Sequence, residues 1–396
     1  MNTKLTPRLR FPEFRDAGEW EVKFLGEISK ISTGSSNRED STSASGAYTF
    51  FDRSQEIRTS DIYLFDGEAV IVAGEGQEFI PKYFCGKFDL HQRTYAIMDF
   101  QLSFGLYLFY YIYQFRAYFL KQAVGSTVKS LRLPMFQKMA IALPSLNEQQ
   151  KIADCLSSLD ELITAQTQKI EALKLHKKGL MQKLFPAEGK TVPELRFPEF
   201  HGTWDAYTLK DIAQITSGGT PNRAEPDFWN GSIPWVTTSL IDFNTIDNAE
   251  EFITVEGLSN SSARLFPKNT LLMAMYGQGK TRGKVALLGI EATTNQACAA
   301  IMLNKEVDVG FVFQNLASRY DEIRKLSNEG GQENLSAGLI KMIKLTLPSI
   351  AEQQKIADCL SSLDDLITAQ VQKIEALKLH KKGLMQGLFP NDEVTL

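Results

Sequence analysis

A chain of 396 residues is too long for one ordinary hydrophobic core, so two domains of common size with connecting elements are expected. An apolar share of 43% beside a charged share of 23% excludes a disordered chain. The formal net charge of −4 lacks the basic footprint that phosphate binding usually leaves, although net charge says little about a local patch.

From Met1 to Pro7 nothing resembles the apolar core of a signal peptide, so a cytoplasmic protein is expected. Pro7-Arg8-Leu9-Arg10-Phe11-Pro12-Glu13-Phe14 follows, with Trp20 a few residues on. Ala69 to Gly74 reads as a strand, and the apolar run Leu106 to Leu120 as a buried helix. Gln114 and Arg116 interrupt that run, and it is too short to cross a bilayer. Leu143 to Pro186 then reads LPSLNEQQKIADCLSSLDELITAQTQKIEALKLHKKGLMQKLFP. After it the opening motif returns as Pro193-Glu194-Leu195-Arg196-Phe197-Pro198-Glu199-Phe200, with Trp204 following, and Thr270 to Met275 repeats the strand signal. Leu347 to Pro390 repeats the long segment, differing only at Leu146/Ile350, Asn147/Ala351, Glu161/Asp365, Thr167/Val371 and Lys183/Gly387. The chain is two half-proteins in tandem.

Between the repeats the sequence has diverged, yet a skeleton persists. Thr33-Gly34 answers Ser217-Gly218, and Gly125 with Leu131 answers Gly331 with Leu335. One frame carrying two unlike inserts suggests one task performed twice on two targets. Cys85, Cys155, Cys298 and Cys359 form no CxxC pair, so reduced structural thiols are expected rather than a zinc site or a disulfide framework.

In the repeat, apolar residues recur at alternating steps of four and three, the seam of a coiled coil. The first copy has Ile152, Leu156, Leu159, Ile163, Gln166, Ile170, Leu173, Lys177, Leu180 and Leu184. The second has Ile356, Leu360, Leu363, Ile367, Gln370, Ile374, Leu377, Lys381, Leu384 and Leu388. Pro144, Pro186, Pro348 and Pro390 bracket the helices. A helix from about Ile152 to Leu184 is roughly 50 Å long, a spacer rather than an internal element. Near-identical seams are self-complementary, which favours an antiparallel pair related by a pseudo-twofold axis. His176 and His380, beside Lys177, Lys178, Lys381 and Lys382, read as solvated or partner-facing, not as metal ligands.

Leu-Pro-Ser-(Leu/Ile)-x-Glu-Gln-Gln-Lys-Ile-Ala before a long helix, occurring twice after variable domains, resembles the specificity subunits of type I restriction-modification enzymes over the whole chain. Glu148-Gln149-Gln150 and Glu352-Gln353-Gln354 match that family's helix-entry motif. Gly218-Gly219-Thr220-Pro221, followed by Ile233-Pro234-Trp235-Val236, resembles the opening of one common recognition-domain type. The first domain has Ser35-Ser36-Asn37 instead, so its target should differ. The resemblance implies a bipartite double-stranded DNA target, with one half read by each domain across an unread spacer. It also implies two methyltransferase subunits on the conserved helices and, in a complete system, motor-nuclease restriction subunits. S-adenosylmethionine would be bound by the methyltransferase partner, with no cofactor in this chain and no membrane partner.

The residues themselves show no catalytic set. No Asn/Asp-Pro-Pro-Tyr/Phe motif, Gly-rich cofactor loop or nuclease carboxylate cluster is present, so no catalytic residue and no metal ligand is assigned. Ala274 to Thr281 ends like a phosphate-binding loop, but Ala274 replaces its first glycine. Arg282 to Gly289 then reads as a turn into a strand, not the helix whose N-terminus would hold phosphate. The segment suits a DNA-reading loop better, because Gln and Asn pair with adenine and Arg with guanine in the major groove. The candidate DNA-binding residues of the first domain are Asn37, Arg38, Arg53, Gln55, Arg58, Gln77, Lys82 and Arg93. Those of the second are Thr220, Asn222, Arg223, Thr237, Ser239, Gln278, Lys280 and Arg282.

The expected fold is α+β: two mixed α/β target-recognition domains separated by two long antiparallel coiled-coil helices with pseudo-twofold symmetry. Residues 1–146 and 187–350 form the domains, 147–186 and 351–390 the central and distal helices, and 391–396 a tail. Residues 1–146 carry 17 basic and 16 acidic side chains, and 187–350 carry 15 and 19, so weak DNA binding is expected of the chain alone. The alternative from another class is a two-headed coiled-coil adaptor that binds proteins without DNA specificity.

Overall fold

The computed structural model describes residues 5–42, 45–277, 280–326 and 334–390. The chain divides into two compact units, Met1–Thr167 with Gln372–Leu396, and Gln168–Val371. The long helices Leu146–Leu184 and Ile350–Leu388 each begin in one unit and end in the other. Among the described residues no helix is long and apolar enough to cross a membrane.

In the first unit the strands are β1 (Glu21–Phe24), β2 (Lys30–Thr33), β3 (Tyr48–Phe51), β4 (Arg58–Ser60), β5 (Phe65–Ala73), β6 (Glu75–Gly76), β7 (Lys82–Leu90), β8 (Thr94–Met98), β9 (Lys129–Ser130) and β10 (Ala140–Leu143). The main sheet runs β2-β8-β5-β7-β3-β4, antiparallel except where β3 meets β7. Ala69 to Val72 in β5 are buried throughout, which is why an unbroken apolar run appears there instead of an alternating one. β1 pairs with β10, and β6 with β9.

The apolar run after β8 forms two helices rather than the expected one, Gly105–Gln114 and Ala117–Gln122. The break falls at Arg116, whose guanidinium cannot enter the core and instead donates to the Tyr113 carbonyl at 2.9 Å.

The second unit repeats the plan with β11 (Asp205–Thr208), β12 (Ala213–Ser217), β13 (Trp229–Val236), β14 (Thr245–Ile246), β15 (Glu251–Ile253), β16 (Leu265–Phe266), β17 (Leu271–Ala274), β18 (Val285–Leu288), β19 (Ala292–Thr294), β20 (Cys298–Leu303) and β21 (Lys344–Leu347). One sheet runs β12-β20-β17-β18-β14 and another β15-β13-β19-β16, while β11 pairs with β21 as β1 does with β10. The strands expected at 69–74 and 270–275 are β5 and β17, and Arg282 to Gly289 turns into strand β18, not a helix.

Each core is closed by the first half of one long helix and the last part of the other, running antiparallel. In the first unit Trp20, Val70, Tyr107, Ile152 and Leu156 share a core with Met385, Leu388 and Phe389. In the second, Trp204, Met273, Phe311, Ile356 and Leu360 share one with Leu184 and Phe185. The seam matches the burial pattern. Ile152, Leu156, Ile170, Ile356, Leu360 and Ile374 are buried, and Leu159, Ile163, Gln166, Leu173, Leu363, Ile367, Gln370 and Leu377 are half-buried. Off the seam, Leu175 and Leu379 are both 71% exposed, and His176 and His380 face solvent.

The helix-entry motif has a mechanical explanation. Ser145 and Ser349 cap the helices, each hydroxyl accepting from the Glu148 or Glu352 N–H at 3.4 Å. The buried Glu148 carboxylate takes two hydrogen bonds from Arg10, at 2.7 and 2.8 Å, and Glu352 takes two from Arg196, both at 2.7 Å. Gln149 donates to Pro144 and Leu102 carbonyls and accepts from the Phe104 N–H, while Gln353 donates to Pro348 and accepts from Asp308. The motif thus clamps the helix to the rest of its own unit through one charge and one amide.

Candidate nucleic-acid interface

In the first unit, Arg53, Gln55, Gln77 and Lys82 line a cavity of about 370 Å³ together with Asp52 and Glu75. Arg93 and Arg53 both reach Glu75, at 2.5 and 3.9 Å, while Arg58 and Arg38 reach Asp52 at 3.1 and 3.6 Å. Asn37 caps the short helix that carries Arg38. Four of the eight candidates are thus tied to two carboxylates that the sequence did not single out, Gln55, Gln77 and Lys82 line the same cavity, and Asn37 caps the helix beside them.

Those carboxylates set the local electrostatics. Burial pushes the Asp52 carboxyl up, but hydrogen bonds from Ser54 and the charges of Arg58 and Arg38 outweigh it and hold the group below its usual value. Burial lowers the Lys82 ammonium against the opposing charge of Asp52, and its Nζ donates to the Ser54 carbonyl at 2.6 Å. Arg53 and Arg93 remain mostly exposed at their tips, available for exchange with another anion.

In the second unit the candidates fall into two groups. Thr220 donates to Gln296 at 2.5 Å, Asn222 accepts from the Ala224 N–H at 3.1 Å, and Thr237 bonds Ser239 at 2.5 Å. Arg223 makes a two-pronged bond to Glu251, at 2.5 and 2.9 Å, and lies over the Trp229 ring at 3.8 Å. The Arg223 hydrogen bonds hold the Glu251 carboxyl below its usual value. In the second group, Lys280 is exposed and its carbonyl accepts from Tyr320, while Arg282 turns inward and donates to the Arg324 carbonyl at 2.9 Å. Gln278 lies outside the described residues.

Close backbone approaches explain the skeleton shared by the two domains. A Cβ on Gly34 would sit 1.7 Å from the Leu90 carbonyl oxygen, and one on Gly218 2.1 Å from that of Thr294. Leu131 N–H bonds the Gly74 carbonyl at 2.7 Å and Leu335 N–H that of Met275 at 3.0 Å, so the two leucines meet the same strand end in each unit, while Gly331 lies outside the described residues. Through β6–β9 pairing this brings Lys129 opposite Gly76, beside the cavity. Sequence reasoning missed Lys129, and also Asp52, Glu75, Glu251, Gln92 and Gln296. The paired amide turn Asn295-Gln296 between two apolar strands was a signal for the last.

The chain matches the family described as type I restriction modification DNA specificity domain twice, over residues 17–175 and 201–379. It is 27% identical over 296 residues to the type I restriction enzyme MjaVIII specificity subunit of Methanocaldococcus jannaschii, covering 72% of this chain and 69% of that protein. It is 32% identical over 178 residues to the EcoR124I/EcoR124II specificity subunit of Escherichia coli, 43% of each chain. Among solved structures, the type I restriction-modification S subunit from M. genitalium shares the fold with a TM-score of 0.68 at 17% identity, over 97% of this chain and 99% of that one. A chain from a structure of type I R-M complex assembly gives 0.58 at 12% identity, over 94% and 98%. With the family matched in both halves, this chain belongs to the type I restriction-modification DNA specificity family and is a specificity subunit of that system.

Proposed function

We propose that the chain reads a bipartite double-stranded DNA target, one half per recognition domain, and performs no catalysis itself. The observation that carries this reading is a single frame built twice, each copy presenting a different set of polar side chains at the same strand ends. Two methyltransferase subunits would join along the long helices, supplying S-adenosylmethionine and the adenine methylation. In a complete system, motor-nuclease subunits would add to them.

Internal ion pairing bears on affinity. Arg38, Arg53, Arg58, Arg93 and Arg223 already hold carboxylates, so at these five positions a duplex phosphate must compete with an internal partner. The protein-binding adaptor is not favoured, because the family is one of DNA specificity domains. A gel shift with selected and random duplexes tests the proposal: the chain alone should bind both weakly, and tight, sequence-selective binding should appear when methyltransferase subunits are added. Equal affinity and selectivity with and without them would refute this account of the charge balance.

A further inference from the structure

Between the repeated motifs the two units have diverged widely in sequence, yet one turn at the strand ends is built alike in both. In the first unit it is His91-Gln92-Arg93 between β7 and β8, and in the second Asn295-Gln296-Ala297 between β19 and β20. His91 N–H bonds the Phe51 carbonyl at 2.9 Å, and Asn295 N–H that of Val236 at 3.0 Å. The turn closes from Thr94 to His91 at 2.9 Å and from Cys298 to Asn295 at 3.2 Å. Its last carbonyl accepts from the neighbouring strand end, Gly74 to Arg93 at 2.8 Å and Met275 to Ala297 at 2.9 Å. Even the first side chain acts alike: His91 Nδ1 accepts the Arg93 N–H at 3.1 Å, and Asn295 Oδ1 accepts that of Ala297 at 3.1 Å.

Strand register makes the match residue for residue, with Thr94 opposite Ala73 and Cys298 opposite Ala274. The middle residue is glutamine in both, and both glutamines are exposed. Neither side chain is used to build its turn. Among the described residues the Gln92 amide has no hydrogen bond to protein, and the Gln296 oxygen accepts only the Thr220 hydroxyl. What surrounds them differs: Arg93 and its Glu75 ion pair beside Gln92, Thr220 beside Gln296.

Side chains that differ between the units serve targets that differ, so a side chain common to both serves what the half-sites share. We infer that Gln92 and Gln296 make the DNA contact common to both half-sites, while the unlike residues around them select the bases. The inference rests on the DNA-reading function proposed above. A primary amide presents a donor and an acceptor, which suits an adenine edge, and its donor also suits a phosphate oxygen.

The test uses the full chain assembled with methyltransferase subunits, carrying Gln92→Ala or Gln296→Ala, with Gln→Glu counterparts that keep the shape and remove the donor. Each alanine variant should weaken binding to the selected site by on the order of tenfold. The bases recovered from random DNA should stay those of the wild type at every position where the two half-sites differ, and the unfolding midpoint should not move. The glutamate variants should bind no better than the alanine ones. An equal loss on random duplex would identify a phosphate as the shared group, and a loss confined to the selected site would identify a base. Undiminished affinity, or a changed preference at a position where the two half-sites differ, overturns the inference while DNA reading stands. A wild-type complex that selects no sequence overturns both.

Discussion

His91 and Asn295 occupy the same place in their turns, but only the histidine titrates near neutrality. Its Nδ1 must keep a lone pair for the Arg93 N–H, and burial, with the charges of Arg93 and Arg53 against those of Asp52 and Glu75, holds the imidazole below its ordinary value. The neutral form is therefore the folded form. Its contribution is fully present above the unfolded value of 6.5 and lost as pH falls through the lower folded value. Footprinting the assembled complex from about pH 7.5 down to 5 should show protection of the first domain's half-site failing before the second's. His91→Asn should make the two halves fail together; parallel failure in the wild type would contradict this. The odd substitution in the repeat, Lys183 against Gly387, also resolves at this scale. Lys183 pairs with Glu194 at 3.0 Å, whereas a Cβ at Gly387 would lie 2.4 Å from Leu9, and the sequence counterpart of Glu194 is Arg8. A lysine at 387 would lose its partner and strike Leu9.

For the long helices, the polar seam residues matter most. Lys381 Nζ bonds Asp160 at 2.5 and 2.6 Å, and Tyr110 donates to the same carboxylate at 2.7 Å. In the second unit Lys177 bonds Asp364 at 2.6 and 2.7 Å, joined by Gln314 at 2.7 Å. One aspartate per unit thus links the register of the helix pair to the helix of its recognition domain, a role expected of a polar seam position. Gln166 and Gln370 are different, since each side-chain oxygen is buried without a hydrogen bond among the described residues. Such an atom costs about 1–3 kcal/mol. The double variant Gln166→Leu/Gln370→Leu should therefore raise the thermal unfolding midpoint, and a lowered midpoint would show that the amides are satisfied in solution. The seam itself was legible because the four-three period is local. The partners of its lysines were not, because Asp160 and Asp364 come from the other helix.

At the scale of the whole molecule, modularity has a physical basis. The second unit's core draws Leu184, Phe185, Ile356 and Leu360 from the repeated helices, and the first draws Leu388, Phe389, Ile152 and Leu156 from the equivalent positions. A foreign recognition domain of the same frame meets the apolar residues it expects. Replacing residues 190–346 with another such domain should change one half of the methylated site and leave the other as it was, which sequencing of methylated adenines would read. Alteration of both halves would contradict independent reading by the two domains.

The sequence by itself determined the duplication, the paired helices with their seam, the principal strands β5 and β17 and the family. Each is a local period or an internal match, written in residues close along the chain. Only the tertiary structure decided that Glu148 clamps Arg10, that the candidate arginines are held by Asp52, Glu75 and Glu251, and that Gln92 and Gln296 stand at one shared turn. Those pairings join segments from 6 to 138 residues apart or compare two diverged strand ends, and no local pattern encodes which charge will lie beside which once the sheets close.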